Sequence, residues 1–341
     1  MIVVHPRLIP SLVFASFLIF VSFPVHADDR PVDREPPLMM GEGSAPTSDA
    51  VDYQLWDVPG RSGASPTMVD QRETGRFIVS KTDSDTWSVN ERFGHLGIGE
   101  PISIPGINTS VPQDLWSIEG GAGYNHQFNN GRQFGLNFNV GSDSDHPFYS
   151  IHEDVFRVTA NYRLPSGDHN AWLFFLNYSN NRYFLNNVPL PGVGYYFQAY
   201  DNRLQGLIGF PFASLRYVPT PNWNAQISIF GPRNVNAEIV RRILGPLKAY
   251  TAFQWNAQEW LIADRQDYSN RLIFDKKRVA LGLRSPLPGG FLFDVSGGRQ
   301  FDQRFFVNDS SSYSDVPTAG LPPTWFFQTK LTYRFAVVPN P

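Results

Sequence analysis

The sequence predicts an all-β fold, a closed antiparallel transmembrane β-barrel of about twelve strands, with roughly ten to fourteen compatible with the pattern. Three observations predict it. Apolar and polar residues alternate over segments long enough to cross a bilayer, the connections between them alternate short and long, and the composition is aromatic-rich and charge-poor. In 152–164, Phe156, Val158, Ala160, Tyr162 and Leu164 share one face, opposite Arg157, Thr159, Asn161 and Arg163. In 324–335, Trp325, Phe327, Leu331, Tyr333 and Phe335 oppose Gln328, Lys330, Thr332 and Arg334. Period two puts successive side chains on opposite faces of a strand. Segments at 116–128, 171–183, 247–259 and 270–285 also reach the 9–11 residues of a barrel span, where sandwich strands average about five or six. Aromatic residues near the strand ends, such as Trp116 with Phe128 and Trp325 with Phe335, suit interfacial girdles.

Composition narrows the classes. The 341 residues include 28 Phe, 14 Tyr and 8 Trp, and only 17% are charged, against about 25% in ordinary soluble domains. A formal charge of −3 without a basic tail gives no reason to expect a nucleic-acid partner. The absence of cysteine excludes disulfides, thiolate metal sites and Cys nucleophiles.

The elements follow in order. Arg7, the apolar stretch 8–23 and Val25-His26-Ala27 read as a signal peptide (1–27) cleaved after Ala27, because the run is shorter than a spanning helix needs and Pro10 and Pro24 bracket it. Residues 28–72, rich in proline and small residues, read as a flexible lead-in. The barrel is expected over 73–336, with a tail at 337–341. Twelve strands are placed near 86–98, 115–128, 132–142, 152–164, 171–183, 204–219, 223–230, 234–243, 247–259, 270–285, 290–301 and 324–335. Connections 129–131, 165–170, 220–222, 244–246 and 286–289 are short. Those at 99–114, 143–151, 184–203, 260–269 and 302–323 are long, and 231–233 is a tight exception. Short periplasmic turns and long outer loops with an even strand count produce this pattern. The segment 75–81 resembles a further strand but breaks the parity, and is expected beside the first strand or inside the lumen. Fourteen strands arise if 193–200 and 204–210 both cross, which Pro211 opposes by removing a ladder donor.

The motifs at 186–193 (NNVPLPGV), 209–216 (GFPFASLR), 230–232 (FGP) and 301–306 (FDQRFF) resemble an uncharacterised family of bacterial outer-membrane β-barrel proteins, a domain of unknown function, over roughly 75–335. The resemblance implies a barrel in the bacterial outer membrane and brings no catalytic residues. The last strand, with Tyr333 and Phe335 before 336–341, resembles the signal read by the barrel assembly machinery.

If apolar faces meet lipid, alternation turns Arg157, Arg278 and Lys330 inward at one depth, and Arg163, Arg284 and Arg334 inward at another. Arg242 and Lys248 join these two partial basic rings. Glu119, Glu238 and Asp294 are the inward acids. Rings of Arg and Lys make anion pores, so small anionic solutes are the expected cargo of a passive porin-like channel. A salt-bridged plug, and hence a structural envelope protein, is the competing outcome. In the loop after 183, Asn187, Pro189, Pro191, Tyr195 and Tyr196 are the ligand candidates. His146 and His152 with Asp143, Asp145, Glu153 and Asp154 suggest a cation loop, but a hydrated acidic loop is the preferred reading. No cofactor, metal or catalytic residue is expected. A membrane-embedded lipid-modifying enzyme would need a His–Ser pair on the outer wall, and a secreted carbohydrate-binding β-protein would not need a bilayer.

Overall fold

The computed structural model describes residues 50–60, 65–106, 110–182, 184–309 and 316–335. The expected signal peptide, most of the expected lead-in ahead of Ala50 and the tail lie outside the described residues. One antiparallel sheet of seventeen strands closes on itself. Leaving aside the short Thr318–Leu321, which pairs only along one stretch of the wall, sixteen staves form the barrel. These are β1 (Ala50–Val58), β2 (Met68–Lys81), β3 (Asp85–Ile98), β4 (Asp114–Gln127), β5 (Gln133–Ser144), β6 (Asp154–Ser166), β7 (Asn170–Ser179) and β8 (Leu190–Ala199). The wall continues through β9 (Leu204–Phe210), β10 (Phe212–Thr220), β11 (Trp223–Phe230), β12 (Val235–Leu244), β13 (Leu247–Trp260), β14 (Arg271–Leu287), β15 (Phe291–Asn308) and β16 (Thr324–Arg334). Each stave pairs with its sequence neighbour, and β1 pairs with β16 from Ala50↔Arg334 to Asp57↔Phe327. Both described chain ends therefore lie at one rim.

The expected twelve strands become sixteen in three places. Ala50–Val58 and Met68–Lys81 are both staves, so the wall begins inside the expected lead-in and 75–81 belongs to β2, where parity is restored. The stave β1 hides its inner Trp56 and Val58 in an apolar core and turns Asp57 outward, which inverts the pattern by which barrel strands are recognised. The expected loop 184–203 contains β8. Finally, the expected strand 204–219 reverses direction at Pro211, where Ile208↔Ala213 already face each other across a tight turn. A residue without an N–H fits a turn better than a ladder.

The faces are inverted relative to a soluble protein. Leu281 and Phe327 expose 69% and 63% of their surface on the outside, whereas Asn90, Gln205 and Gln300 are buried inside. Contiguous exposed apolar surface on this scale needs an apolar surrounding. Seven connections are brief at the rim that carries the chain ends, here the turn end: 82–84, 128–132, 167–169, 200–203, 221–222, 245–246 and 288–290. The opposite rim, the loop end, carries the longer connections, described over 99–106, 110–113, 145–153, 180–182, 184–189, 261–270 and 316–323.

Candidate functional site

The loop end is crossed by the β13–β14 hairpin, whose connection 261–270 forms a strap docked on the β5–β6 connection. The Leu261 N–H donates to the Asp143 carbonyl (2.7 Å) and the Ala263 N–H to Asp145 Oδ1 (2.9 Å). Arg265 Nη1 binds Glu153 Oε1 at 3.2 Å, and Tyr268 stacks on His152 with centroids 3.8 Å apart. Arg271 donates to the Asn180 carbonyl from its other side. The strap keeps its own shape: Ser269 donates its N–H and hydroxyl to Asp267 Oδ1 (2.9 and 2.8 Å), which holds the Asp267 carboxyl below the usual carboxylate range. Beneath the hairpin, Trp260, Leu272 and Phe274 join Trp56, Phe305 and Phe326 in an apolar core that fills one side of the lumen.

Directly inside the strap, four adjacent staves contribute one charge each to a closed network. Arg92 Nη2 reaches Glu119 Oε1 (2.6 Å) and Asp143 Oδ1 (2.9 Å). Arg157 reaches Asp143 Oδ2 through Nη2 (2.6 Å) and Glu119 Oε2 through Nε (3.3 Å). Asn181 Nδ2 donates to Asp143 Oδ2 (2.9 Å) and to the Glu259 carbonyl of the strap hairpin (3.4 Å). Two cations here face two carboxylates, and the Glu259 carboxylate of the strap hairpin also acts on Arg157. Gly141 makes room for it, since a Cβ there would lie 1.9 Å from the Ile118 carbonyl and 2.6 Å from the Glu119 Cα. Gly141→Val is expected to lower stability by about 1–3 kcal/mol, read as a shifted urea midpoint for the barrel in lipid vesicles. An unchanged midpoint would contradict this packing.

Below the network, the inner faces of β4–β7 form an amide wall. Asn125 and Asn161 flank Gly135, and Asn137 lies opposite Gly123. A Cβ at Gly135 would meet the Asn161 amide at 2.6 Å, and one at Gly123 would meet Asn137 Oδ1 at 2.6 Å, so these amides lie flat over backbone. Asn177 Nδ2 donates to Thr159 Oγ1 at 2.8 Å. The adjoining inner surface, from β7 onward, is apolar, with Phe175, Tyr196, Leu207 and Phe212 packed with Leu173 and Phe230. Between the two lies a cavity of about 890 Å³, lined from Lys81–Ser84 and Gln133 at the turn end to Asn181 and Gln258 beneath the strap.

Several other inward charges are also held in ion pairs. Asp70 accepts from Arg72 Nη2 (2.7 Å) and Lys276 Nζ (3.1 Å), with Arg278 Nη2 at 3.8 Å. The Arg72 and Arg278 guanidinium groups both lie over the Trp56 ring, and Arg278 Nε donates to Gln300 (2.7 Å). Arg284 bridges Glu238 (2.8 Å) and Asp294 (2.7 Å), and Tyr250 donates to Asp294 at 2.6 Å. Lys330 meets Asp52 at 3.3 Å. Arg157, Arg278 and Lys330 are therefore held in three separate ion-pair groups rather than in one ring, because acids from other staves intervene. At the turn end, Arg163 donates to the Gly131 carbonyl (3.5 Å) and lines the cavity. Arg242, Lys248 and Arg334 are exposed, and Arg242 faces Lys248 across the β12–β13 ladder.

The expected ligand loop is shorter than its sequence suggests. Pro191, Tyr195 and Tyr196 lie in β8, where Tyr195 packs on Trp172 outside (5.0 Å) and Tyr196 is buried inside. Asn187 and Pro189 remain in the connection, with the Asn187 N–H donating to the Ser179 carbonyl. Buried Arg182 holds this connection by donating to the carbonyls of Phe184 (3.0 Å), Leu185 (2.7 Å) and Val188 (2.8 Å). Among the described residues no group of His, Asp and Glu is arranged to hold a metal ion; Glu153 instead receives Arg265.

No family model matches the chain. No curated protein matches it either. Among solved structures, the chain is similar to an outer membrane channel from Pseudomonas putida F1, with 12% identity over 87% of this chain and 100% of that chain and a TM-score of 0.35. It is also similar to a variant of the Rh. blastica porin, with 10% identity, 84% and 98% coverage and a TM-score of 0.33. The outer membrane protein OmpT of Vibrio cholerae shows 8% identity, 84% and 96% coverage and a TM-score of 0.32. No residue role is carried over from these proteins.

Sequence reasoning missed Arg92, Asp143 as an ion-pair partner, Asn181, Arg182, Arg265 and the Asp70–Lys276 pair. The alternation in β3, where Ser88, Asn90 and Arg92 face one way and Trp87, Val89 and Phe93 the other, carries the signal for Arg92. Nothing local marks Asp70 and Lys276, which are 206 residues apart.

Proposed function

We propose that this protein spans the bacterial outer membrane as a porin-like channel for small hydrophilic solutes, with a preference for anions. The observation that carries the reading is the cavity along β2–β9, polar on one wall and continuous from the turn end to the strap. A barrel of sixteen staves is also in the size range that leaves room for an aqueous channel. Arg and Lys side chains on the lining outnumber carboxylates seven to five, and Arg76 and Arg163 stand on the lining at β2 and at the turn end. Excess positive charge in a narrow low-dielectric passage raises the local anion concentration.

Two measurements test it. Membrane extracts run with and without boiling are expected to show a compact band that shifts on heating, as a closed hydrogen-bonded sheet resists SDS. Detergent-free solubility with unchanged migration would remove the membrane reading. Purified protein in a planar bilayer under a KCl gradient is expected to conduct with an anion-selective reversal potential, and Arg76→Glu with Arg163→Glu is expected to move that potential toward the cation side. The apolar core under the strap favours a second reading, a sealed structural barrel. Absence of conductance from a correctly heat-modifiable protein would select it.

A further inference from the structure

The cavity changes character along β4–β6. Near the strap its lining is ionic, through Arg92, Glu119 and Arg157. Two inward rows nearer the turn end, Asn125 and Asn161 flank Gly135 across the ladders, and both amides converge over it. A Cβ at Gly135 would lie 2.6 Å from Asn161 Nδ2, 2.7 Å from its Oδ1 and 2.8 Å from Asn125 Oδ1. Neither amide makes a hydrogen bond with another described residue, and both line the cavity. A donor and an acceptor from each therefore face the cavity with no internal commitment.

The next inward row adds a charge. Arg163 follows Asn161 by two residues on the same face of β6, about 7 Å along the strand. It donates to the Gly131 carbonyl at 3.5 Å and forms no ion pair with a described residue. Across the β6–β7 ladder, Leu173 stands beside Arg163 and Phe175 beside Asn161, and both also line the cavity. One corner of the lumen thus offers a cation, two neutral amides and an apolar flank. Its chemistry excludes simple partners. An inorganic anion uses the guanidinium and leaves the amides idle, and a neutral polyol does the reverse. An amide, with donor and acceptor side by side, suits a pair of neighbouring hydroxyls, and a guanidinium matches a carboxylate or phosphate bidentately.

The geometry points to a binding site for an acidic monosaccharide. Its carboxylate or phosphate lies on Arg163, its hydroxyls on Asn125 and Asn161, and its ring C–H groups against Leu173 and Phe175. The cavity, at about 890 Å³, is in the range of small-molecule sites. The inference rests on the channel reading above and names the class of anionic solute selected.

The test uses the full barrel in a zwitterionic, sugar-free detergent and saturation-transfer NMR titrations, with glucuronate, glucose 6-phosphate, glucose and acetate as probes. The wild type is expected to bind one or both sugar acids at least tenfold more tightly than glucose or acetate, and the tighter of the two identifies the acidic group. Asn125→Ala with Asn161→Ala is expected to weaken that binding about tenfold, as loss of two hydrogen bonds implies, and to leave acetate binding as it was. Arg163→Gln is expected to bring the sugar acid down to the affinity of glucose, and Arg163→Lys to recover part of the loss. Acetate or glucose bound as tightly as the sugar acids, no saturable binding of either acid, or wild-type affinity in the double variant would overturn the site. Bilayer recording on the same samples keeps the two readings apart. A barrel that conducts with anion selectivity but discriminates no sugar acid loses only this site. Absence of conductance removes the channel reading and leaves the titration to decide the site.

Discussion

Replacing strap residues 261–270 with a short Gly-Ser turn is expected to raise single-channel conductance several-fold. The strap crosses the loop end and is fixed to the end of β5 and the β5–β6 connection by hydrogen bonds from the Leu261 and Ala263 N–H groups, the Arg265–Glu153 pair, an Arg265 hydrogen bond to the His152 carbonyl and the His152–Tyr268 stack. None of the ladder bonds that close the barrel lies within it, because the β13–β14 register ends at Trp260↔Leu272. Its removal therefore widens the mouth without opening the wall. Heat-shifted migration of the deletion variant checks the barrel, and planar-bilayer recording reads the pore. Conductance equal to that of the wild type would show that the narrowest point lies elsewhere, in the charge network or the apolar core.

The second large effect is expected at Asp143. Asp143→Ala removes one of the two carboxylates that Arg92 and Arg157 share and takes an acceptor from Asn181. Breaking a buried ion pair by removing one partner costs about 3–5 kcal/mol. The two arginines keep 23% and 25% of their side-chain surface, so water screens part of the loss and the lower end of that range applies. The urea midpoint in lipid vesicles measures it. The same change removes one negative charge from the network, so the reversal potential is expected to move further toward anions. Adding Arg157→Gln restores the balance and is expected to recover part of both quantities. A midpoint unchanged by Asp143→Ala would show that the network contributes no stability.

Both effects arise from side chains that meet across the lumen. A barrel wall is held by its ladders, and its lumen is decided by what the inward side chains find opposite them. In β4–β7 they find glycine, and the amides lie flat against backbone, leaving a cavity. In β13–β16 and β1 they find Trp56, Phe274, Phe305 and Phe326, and the space fills. The cavity lies to one side for this reason.

Much of the wall was legible in the sequence, since period two reports directly which face of a strand meets lipid. Arg157, Glu119, Arg284, Glu238 and Asp294 could be turned inward from alternation alone, because the neighbouring apolar residues in β4, β6, β12, β14 and β15 are unambiguous. Where both faces of a strand are covered, the signal fails. Near Trp56 in β1 and Phe274 in β14, apolar residues point inward against the core, and polar Asp57 and Asp275 point outward.

By itself the sequence determined the all-β class, the inverted faces and the alternation of turn end and loop end, all of which are properties of a strand and its immediate neighbours. Only the tertiary structure decided the closure at sixteen staves, the course of the strap and the partner of each inward charge. Those depend on which distant segments the ladder register brings together. The Asp70–Lys276 contact joins β2 to β14 across 206 residues of chain, and no local pattern of polar and apolar residues records a distance of that kind.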